Sequence, residues 1–247
     1  MKPSNPEPVE DEKSGLRPDL LSGQQFPPPP KQERSRKKRD ALLQSALALF
    51  AERGYEETNI EDIARHAGAA VGSFYQHFTS KRQILLVLMD RLLQEVFTLT
   101  PGDEQANLQN IQDTIAYLVR RGLQVDWAYA GAYRAWREAS IQDGELRNLN
   151  RQIEQWTASQ LEFMLRALLQ MPGTRQDVDV TILAWELNLL FFRLAEVPLE
   201  DPAVIDALVS SITHLIYHGL FTDDYETQGP YSKDLDMRAE NETQEES

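Results

Sequence analysis

The 247-residue sequence predicts an all-α protein of two helical domains, and three observations carry that expectation. Apolar residues recur at helical spacing from Leu42 almost to Leu220, and no strand-like alternation bounded by turns interrupts them. Breaks in the pattern coincide with turn signals: Gly54, Gly68, Pro101-Gly102, Asp143-Gly144, Met171-Pro172-Gly173 and Val197-Pro198. The stretch Thr58–Lys81 reads as two short helices joined by a glycine-bearing turn, which is the sequence form of a helix-turn-helix.

Residues 1–33 are rich in proline, with the run Pro27–Pro30, and hold few large apolar side chains. Such a segment cannot bury enough surface to offset the entropy of ordering it, so it is expected to be a disordered extension. Arg34, Arg36, Lys37, Lys38 and Arg39 follow as a basic run that leads into the first helix. Beside a helix-turn-helix, a basic arm of this kind suits phosphates or the minor groove. The first helix runs to Arg53 with Leu43, Ala46, Leu47 and Phe50 on its buried face, and Gly54 stops it.

Thr58 or Asn59 can cap the second helix, where Glu61 and Asp62 complement the dipole. Ile60, Ile63, Ala64 and Ala67 form its narrow apolar stripe. Gly68 permits the turn. The third helix carries Phe74, Tyr75 and Phe78, and its small entry residues Ala69, Ala70, Gly72 and Ser73 let backbone approach a duplex closely. Thr79 or Ser80 then caps a long helix reaching about Thr98.

Beyond it, helices are expected near Asn107–Gln124, Asp126–Ser140, Gly144–Gln170, Val178–Glu196 and Pro202–His218. The last two are apolar around most of their circumference, which implies burial on more than one side. In a body of five helices, a second subunit is the simplest source of that other side. A homodimer is therefore expected. The body also concentrates aromatics. Tyr129, Tyr133, Trp136, Gln160 and Asn188 combine apolar bulk with a polar handle, as orienting a small ligand requires.

Composition excludes several chemistries. There is no cysteine, hence no disulfide, thiolate metal site or Cys nucleophile. No HExxH, ExxH, GxGxxG, GxxxxGKS or GxSxG string occurs, and no catalytic constellation stands out, so neither an enzyme nor a cofactor or metal is expected. His214 and His218 stand four apart without a nearby third ligand and read as a structural pair. With no apolar leader and no uninterrupted run of about 18 apolar residues, a cytoplasmic protein without membrane contact is expected.

The net charge of −14 is unevenly distributed. Lys31–Arg91 holds 11 Lys and Arg against 8 Asp and Glu, whereas the acidic tail from Thr222 holds 2 against 9. A locally basic patch is what phosphate neutralisation needs, so the negative total does not argue against a nucleic-acid partner.

Extended to Leu42–Lys81, the string resembles the DNA-binding domain of the tetracycline-repressor (TetR) family. Leu42, Leu43, Ala46, Phe50, Gly54 and Tyr55 match its first helix and turn. Thr58, Ile63, Ala64, Ala67 and Gly68 match the second helix, and Gly72, Phe74, Tyr75, His77, Phe78, Ser80 and Lys81 match the segment that follows. Ala70 stands where the family usually has a Ser or Thr, so the recognition helix is expected to lack a capping oxygen.

The resemblance implies that Tyr75, His77 and Lys81 hold DNA phosphates and that Gly72 and Ser73 approach base edges. Together with Thr58 and Val71 at the helix entrances and Arg36 and Lys37 on the arm, these residues make the expected DNA-binding set. It also implies a division into a DNA-binding domain over 34–81, a ligand-binding and dimerisation domain over 82–221, and a disordered acidic tail over 222–247. The function implied is a repressor that binds a pseudo-palindromic double-stranded operator as a homodimer and is released by a small, largely apolar effector. A helical-body enzyme, or an interaction module with a vestigial helix-turn-helix, is the alternative.

Overall fold

The computed structural model describes residues 16–98, 111–197, 199 and 201–222, so the expected acidic tail lies almost wholly outside the described residues. Among them the chain is helical: α1 Glu33–Arg53, α2 Ile60–His66, α3 Val71–Tyr75, α4 Lys81–Phe97, α5 Ile111–Ala128, α6 Ala130–Gln142, α7 Gly144–Leu168, α8 Val180–Leu194 and α9 Pro202–Leu220. Side-chain caps set most of the helix starts. Asn59 caps α2, accepting from Asp62 N–H at 2.7 Å, and Ser80 accepts from Gln83 N–H at the start of α4. Asp143 takes the Glu145 and Leu146 amides of α7, Asp179 those of Thr181 and Ile182, and Asp201 that of Ala203 beside Pro202. Each cap satisfies an amide that the helix itself leaves without a partner.

The chain groups into two compact units, Met1–Leu93 with Tyr129–Leu161 and Gln94–Ala128 with Glu162–Ser247. The division falls within α4 and α7 and between α5 and α6, so α6 groups with the helix-turn-helix rather than with the body as the sequence division at 81/82 would have it.

The first unit is built on Leu42, Leu43, Ala46, Phe50, Ile63, Phe74, Phe78, Ile84, Leu85 and Leu88, all fully buried. Its closest joint is between α1 and α6. A Cβ on Gly131 would overlap the Leu47 carbonyl oxygen and lie 2.9 Å from the Ala51 nitrogen, so only glycine lets the two backbones meet. One turn on, Arg134 donates to the Ala51 carbonyl at 2.7 Å, and the Glu138 carboxylate accepts the Tyr55 amide at 2.6 Å. The same carboxylate fills the space beside Gly54, whose φ of +83° already favours glycine. On α4, Arg82 holds Asp143 at 2.7 Å and Glu145 at 2.8 Å. Burial would raise the Asp143 carboxyl, but hydrogen bonds from Arg82, Leu146 and Glu145 bring it below its ordinary range.

The proline-rich segment departs from expectation. Over residues 16–32 it lies as a strap on the first unit, not as a free linker. Leu20 is fully buried, Arg17 pairs with the buried Asp90 of α4 at 2.5 Å, and the Gln25 carbonyl accepts from Gln83 at 2.8 Å. One seated leucine and one part-buried ion pair hold it there. Residues 1–15 lie outside the described residues.

In the second unit α5 packs on α8 and α9. Trp127 donates to the Leu194 carbonyl at 3.0 Å and Arg120 pairs with Asp206 at 2.7 Å. An isolated bridge joins Thr174 to Phe221 and ties the α7–α8 loop to the end of α9. His214 and His218 meet ring to ring, with centroids 4.1 Å apart. Contrary to the sequence reading, α9 is long and apolar enough by length and composition to cross a membrane. Its most apolar window is 33% buried, with Ile212, Ile216 and Leu220 turned inward.

Candidate nucleic-acid interface

The reading surface starts from α2, which the Asn59 cap orients and Ile63 and Ala64 anchor to the core. Gly68, at φ +63°, turns the chain toward α3. Ala70 is the N-cap of α3 and offers no side-chain hydrogen bond, as its lack of an oxygen requires. Phe74 and Phe78 fasten this five-residue helix to the core, which leaves its other face outward. That face presents Gly72, with open space where a Cβ would stand, then Tyr75, 51% exposed, and Gln76, with Val71 half-buried beside them. A short, rigidly held helix with small residues at its entrance and polar tips at its exit suits close approach to a groove. The basic face of α1 adds the exposed Arg34, Arg36 and Lys37. Lys37 makes only an exposed i,i+4 pair with Glu33, at 2.9 Å, which a phosphate can replace at small cost.

Four of the expected DNA contacts are buried or already engaged within the unit, Lys81 among them half-buried. Thr58 is buried, and its hydroxyl donates to the Gly54 carbonyl at 2.7 Å, closing the α1–α2 turn. Ser73 is 8% exposed with its oxygen buried, so it faces the core and not a base edge. The Lys81 ammonium donates to the Tyr55 carbonyl and lies 4.1 Å from the Tyr55 ring centroid. Burial lowers its pKa against the opposing pull of Glu56, Glu138 and Glu57. Lys81 thus holds the turn after α1 in place. His77, the fourth, is 5% exposed, and neither ring nitrogen has a hydrogen-bond partner among the described residues.

The exposed Gln76 was not among the residues expected from the sequence. Its only signal is that it follows Tyr75 at the outer end of α3, which periodicity alone cannot distinguish from an ordinary loop glutamine.

Burial, with Arg39 and Lys38 nearby, lowers the His77 pKa below its ordinary 6.5. The folded state therefore prefers the neutral ring, while the unfolded chain takes up the proton near the ordinary value. Stability from this group is present above about pH 6.5 and is lost as pH falls below it. A urea midpoint measured at pH 7.5 and 5.5 should fall more steeply for the wild type than for His77→Gln. Equal falls would show that the ring is not held neutral.

The expected effector residues divide between the units. Tyr129, Tyr133, Trp136 and Gln160 lie in the first, and Asn188 in the second. Trp136 is buried and donates to Asn150 at 3.0 Å, and Tyr129 is also buried. A half-open pocket of the first unit, about 470 Å³, has none of the five in its lining.

This arrangement of α2, turn and α3 is that of a helix-turn-helix. Residues 42–88 match the family model described as bacterial regulatory proteins, tetR family. The helix-turn-helix transcriptional repressor KstR2 of Mycolicibacterium smegmatis is 44% identical over 71 residues, covering 29% of this chain and 34% of that one. YuxN of Bacillus subtilis, an uncharacterized helix-turn-helix regulator, is 25% identical over 146 residues, covering 58% and 48%. The chain thus spans between a third and a half of the length of these curated relatives. The solved ketosteroid regulator KstR2 of Mycobacterium tuberculosis superposes over 78% of this chain and 98% of its own with a TM-score of 0.56, at 21% identity. The fold is shared.

Proposed function

We propose that the protein is a ligand-responsive transcriptional repressor that binds a pseudo-palindromic operator as a homodimer and is released by a small, largely apolar effector. The observation that carries it is the outward face of α3, with Gly72, Tyr75 and Gln76 on a helix fixed by Phe74 and Phe78. The repressing direction is supported by likeness, over this domain, to a protein named as a repressor. An enzymatic reading has no constellation to rest on.

Dimerisation is supported by the apolar side chains left outward in the second unit: Ile182, Trp185 and Leu189 along one stripe of α8, and Val204 and Leu215 on α9. Their i, i+3, i+7 spacing on α8 is that of a helix waiting for a partner face. A two-fold pair would set two reading heads about 34–36 Å apart, one turn of DNA.

For the effector, Tyr133 and Gln160 keep their place as half-buried candidates. In the second unit, taken by itself, Asn188 stands as a candidate along with the buried polar residues Thr114, Asp126 and Thr213. Release requires a coupling of about 1–3 kcal/mol between effector and DNA.

The test is fluorescence anisotropy of the full chain on duplex DNA from upstream of its gene, at stepped salt. Affinity should fall linearly on logarithmic axes, and Lys37→Ala should reduce the slope by about one contact. Absence of salt-dependent binding would refute the reading.

A further inference from the structure

The cavity of the first unit lies between the proline strap and the basic ends of α1 and α4. Phe26 and Pro27–Pro30 wall one side, and Arg36, Arg39, Asp40, His77 and Arg91 the other. Its charges are poorly balanced. Three arginines face one aspartate, and that aspartate is already engaged by Arg91 at 2.7 Å. Arg36 reaches the Pro30 and Lys31 carbonyls at 3.4 Å and so ties the strap to α1. Arg39 stacks over Phe78, 4.9 Å from its centroid, with no ion pair or hydrogen bond among the described residues. Burial and Arg91 both work against its charge. Beside it His77 offers two buried nitrogens with no partner.

Buried polar groups are ordinarily hydrogen-bonded, and each one left unmet costs stability. A single oxyanion in the cavity would satisfy all of these groups together. It would accept from His77 and Arg39, offset the Arg39–Arg91 repulsion, and balance the two positive charges that Asp40 leaves over. We propose that this cavity is a binding site for a free phosphate monoester, whose dianionic head sits between Arg39, Arg91 and His77 and whose organic body rests on Phe26 and the proline wall. The DNA backbone carries the same oxyanion but fits less well. Its phosphate is a monoanionic diester fixed within a bulky chain, and the pocket that His77 lines is lined by the strap as well. A free ester needs neither strap removal nor distortion of a duplex. The bound dianion favours the imidazolium, so binding takes up a proton at His77 near neutral pH.

Phenyl phosphate and inorganic phosphate, titrated calorimetrically into the full chain in buffers of different ionisation enthalpy, provide the test. Phenyl phosphate should bind saturably, more tightly than inorganic phosphate, with proton uptake near pH 7. The His77 ring signals, one of four histidines, should shift toward the imidazolium in the wild-type protein. Arg39→Met should weaken binding at least about tenfold, as loss of a charged hydrogen bond does. His77→Gln should abolish the proton uptake, and Arg151→Gln, on the exposed face of α7, should change neither. No saturable binding up to about 10 mM, a level below any useful affinity, would overturn the proposal. So would equal weakening by Arg151→Gln, which marks diffuse attraction. A His77 shift produced by duplex DNA but by neither phosphate would assign the site to the DNA backbone and overturn it as well.

Discussion

Gly131→Val should detach the reading head from its support. The position sits in the first turn of α6 where backbone meets backbone, and the atoms a side chain would strike are the Leu47 carbonyl and the Ala51 amide and Cβ of α1. None of these can rotate away, so α6 must lift from α1 along its length. Overpacking a fitted site costs typically 1–3 kcal/mol. With a rigid backbone as the obstacle, we expect the upper end, about 3 kcal/mol, or a fall in Tm of roughly 6–12 °C for a domain of this size. Lifting α6 also strands the Glu138 carboxylate that accepts the Tyr55 amide and the Arg134 guanidinium that caps α1, so DNA affinity should fall with stability. Gly122→Ala supplies the contrast. It lies within α5 with open space around it and should gain about 0.5–1 kcal/mol from helix propensity alone. A thermal melt in which the two variants behave alike would refute the close joint.

Leu189→Glu should convert a dimer into a folded monomer. Leu189 is 62% exposed on α8, so the carboxylate has no cost in the isolated chain but would disrupt the proposed apolar interface between two copies. Leu187, two residues away, is 2% exposed and faces the other way. Leu187→Glu should therefore unfold the second unit, because an unpaired charge cannot remain in that core. Light scattering with circular dichroism separates the outcomes. Leu189→Glu should halve the mass with helix content intact, and operator affinity should drop by orders of magnitude as the two heads lose their linkage. A wild-type chain that is already monomeric at micromolar concentration would refute the interface.

Much of this molecule was legible in the residues themselves. The helical period, the cap at Asn59, and the glycine and proline breaks are local features, and local hydrogen bonding and burial of one stripe enforce them. They fixed the class of fold and the bounds of α6 to α9 to within a few residues. Side-chain direction around α3 was less accessible. Ser73 and Gly72 are neighbours in sequence, yet one is buried and the other open, and a five-residue helix is too short for periodicity to say which.

What only tertiary structure decided are the pairings between distant residues. Glu138 with Tyr55, Arg17 with Asp90 and Gln83 with Gln25 are each separated by more than 50 positions, and nothing in either member of a pair announces the other. The inward turn of Thr58 and Lys81 has the same origin. A hydroxyl or ammonium beside a helix end can meet a phosphate or a carbonyl equally well, and which one it meets depends on where the α1–α2 turn comes to rest. The strap shows the limit most clearly. Composition makes residues 16–32 poor in apolar surface, but one leucine seated in a pre-formed core and one arginine beside a buried aspartate outweigh that average. Composition sums over a segment, whereas docking depends on the few side chains that find a place.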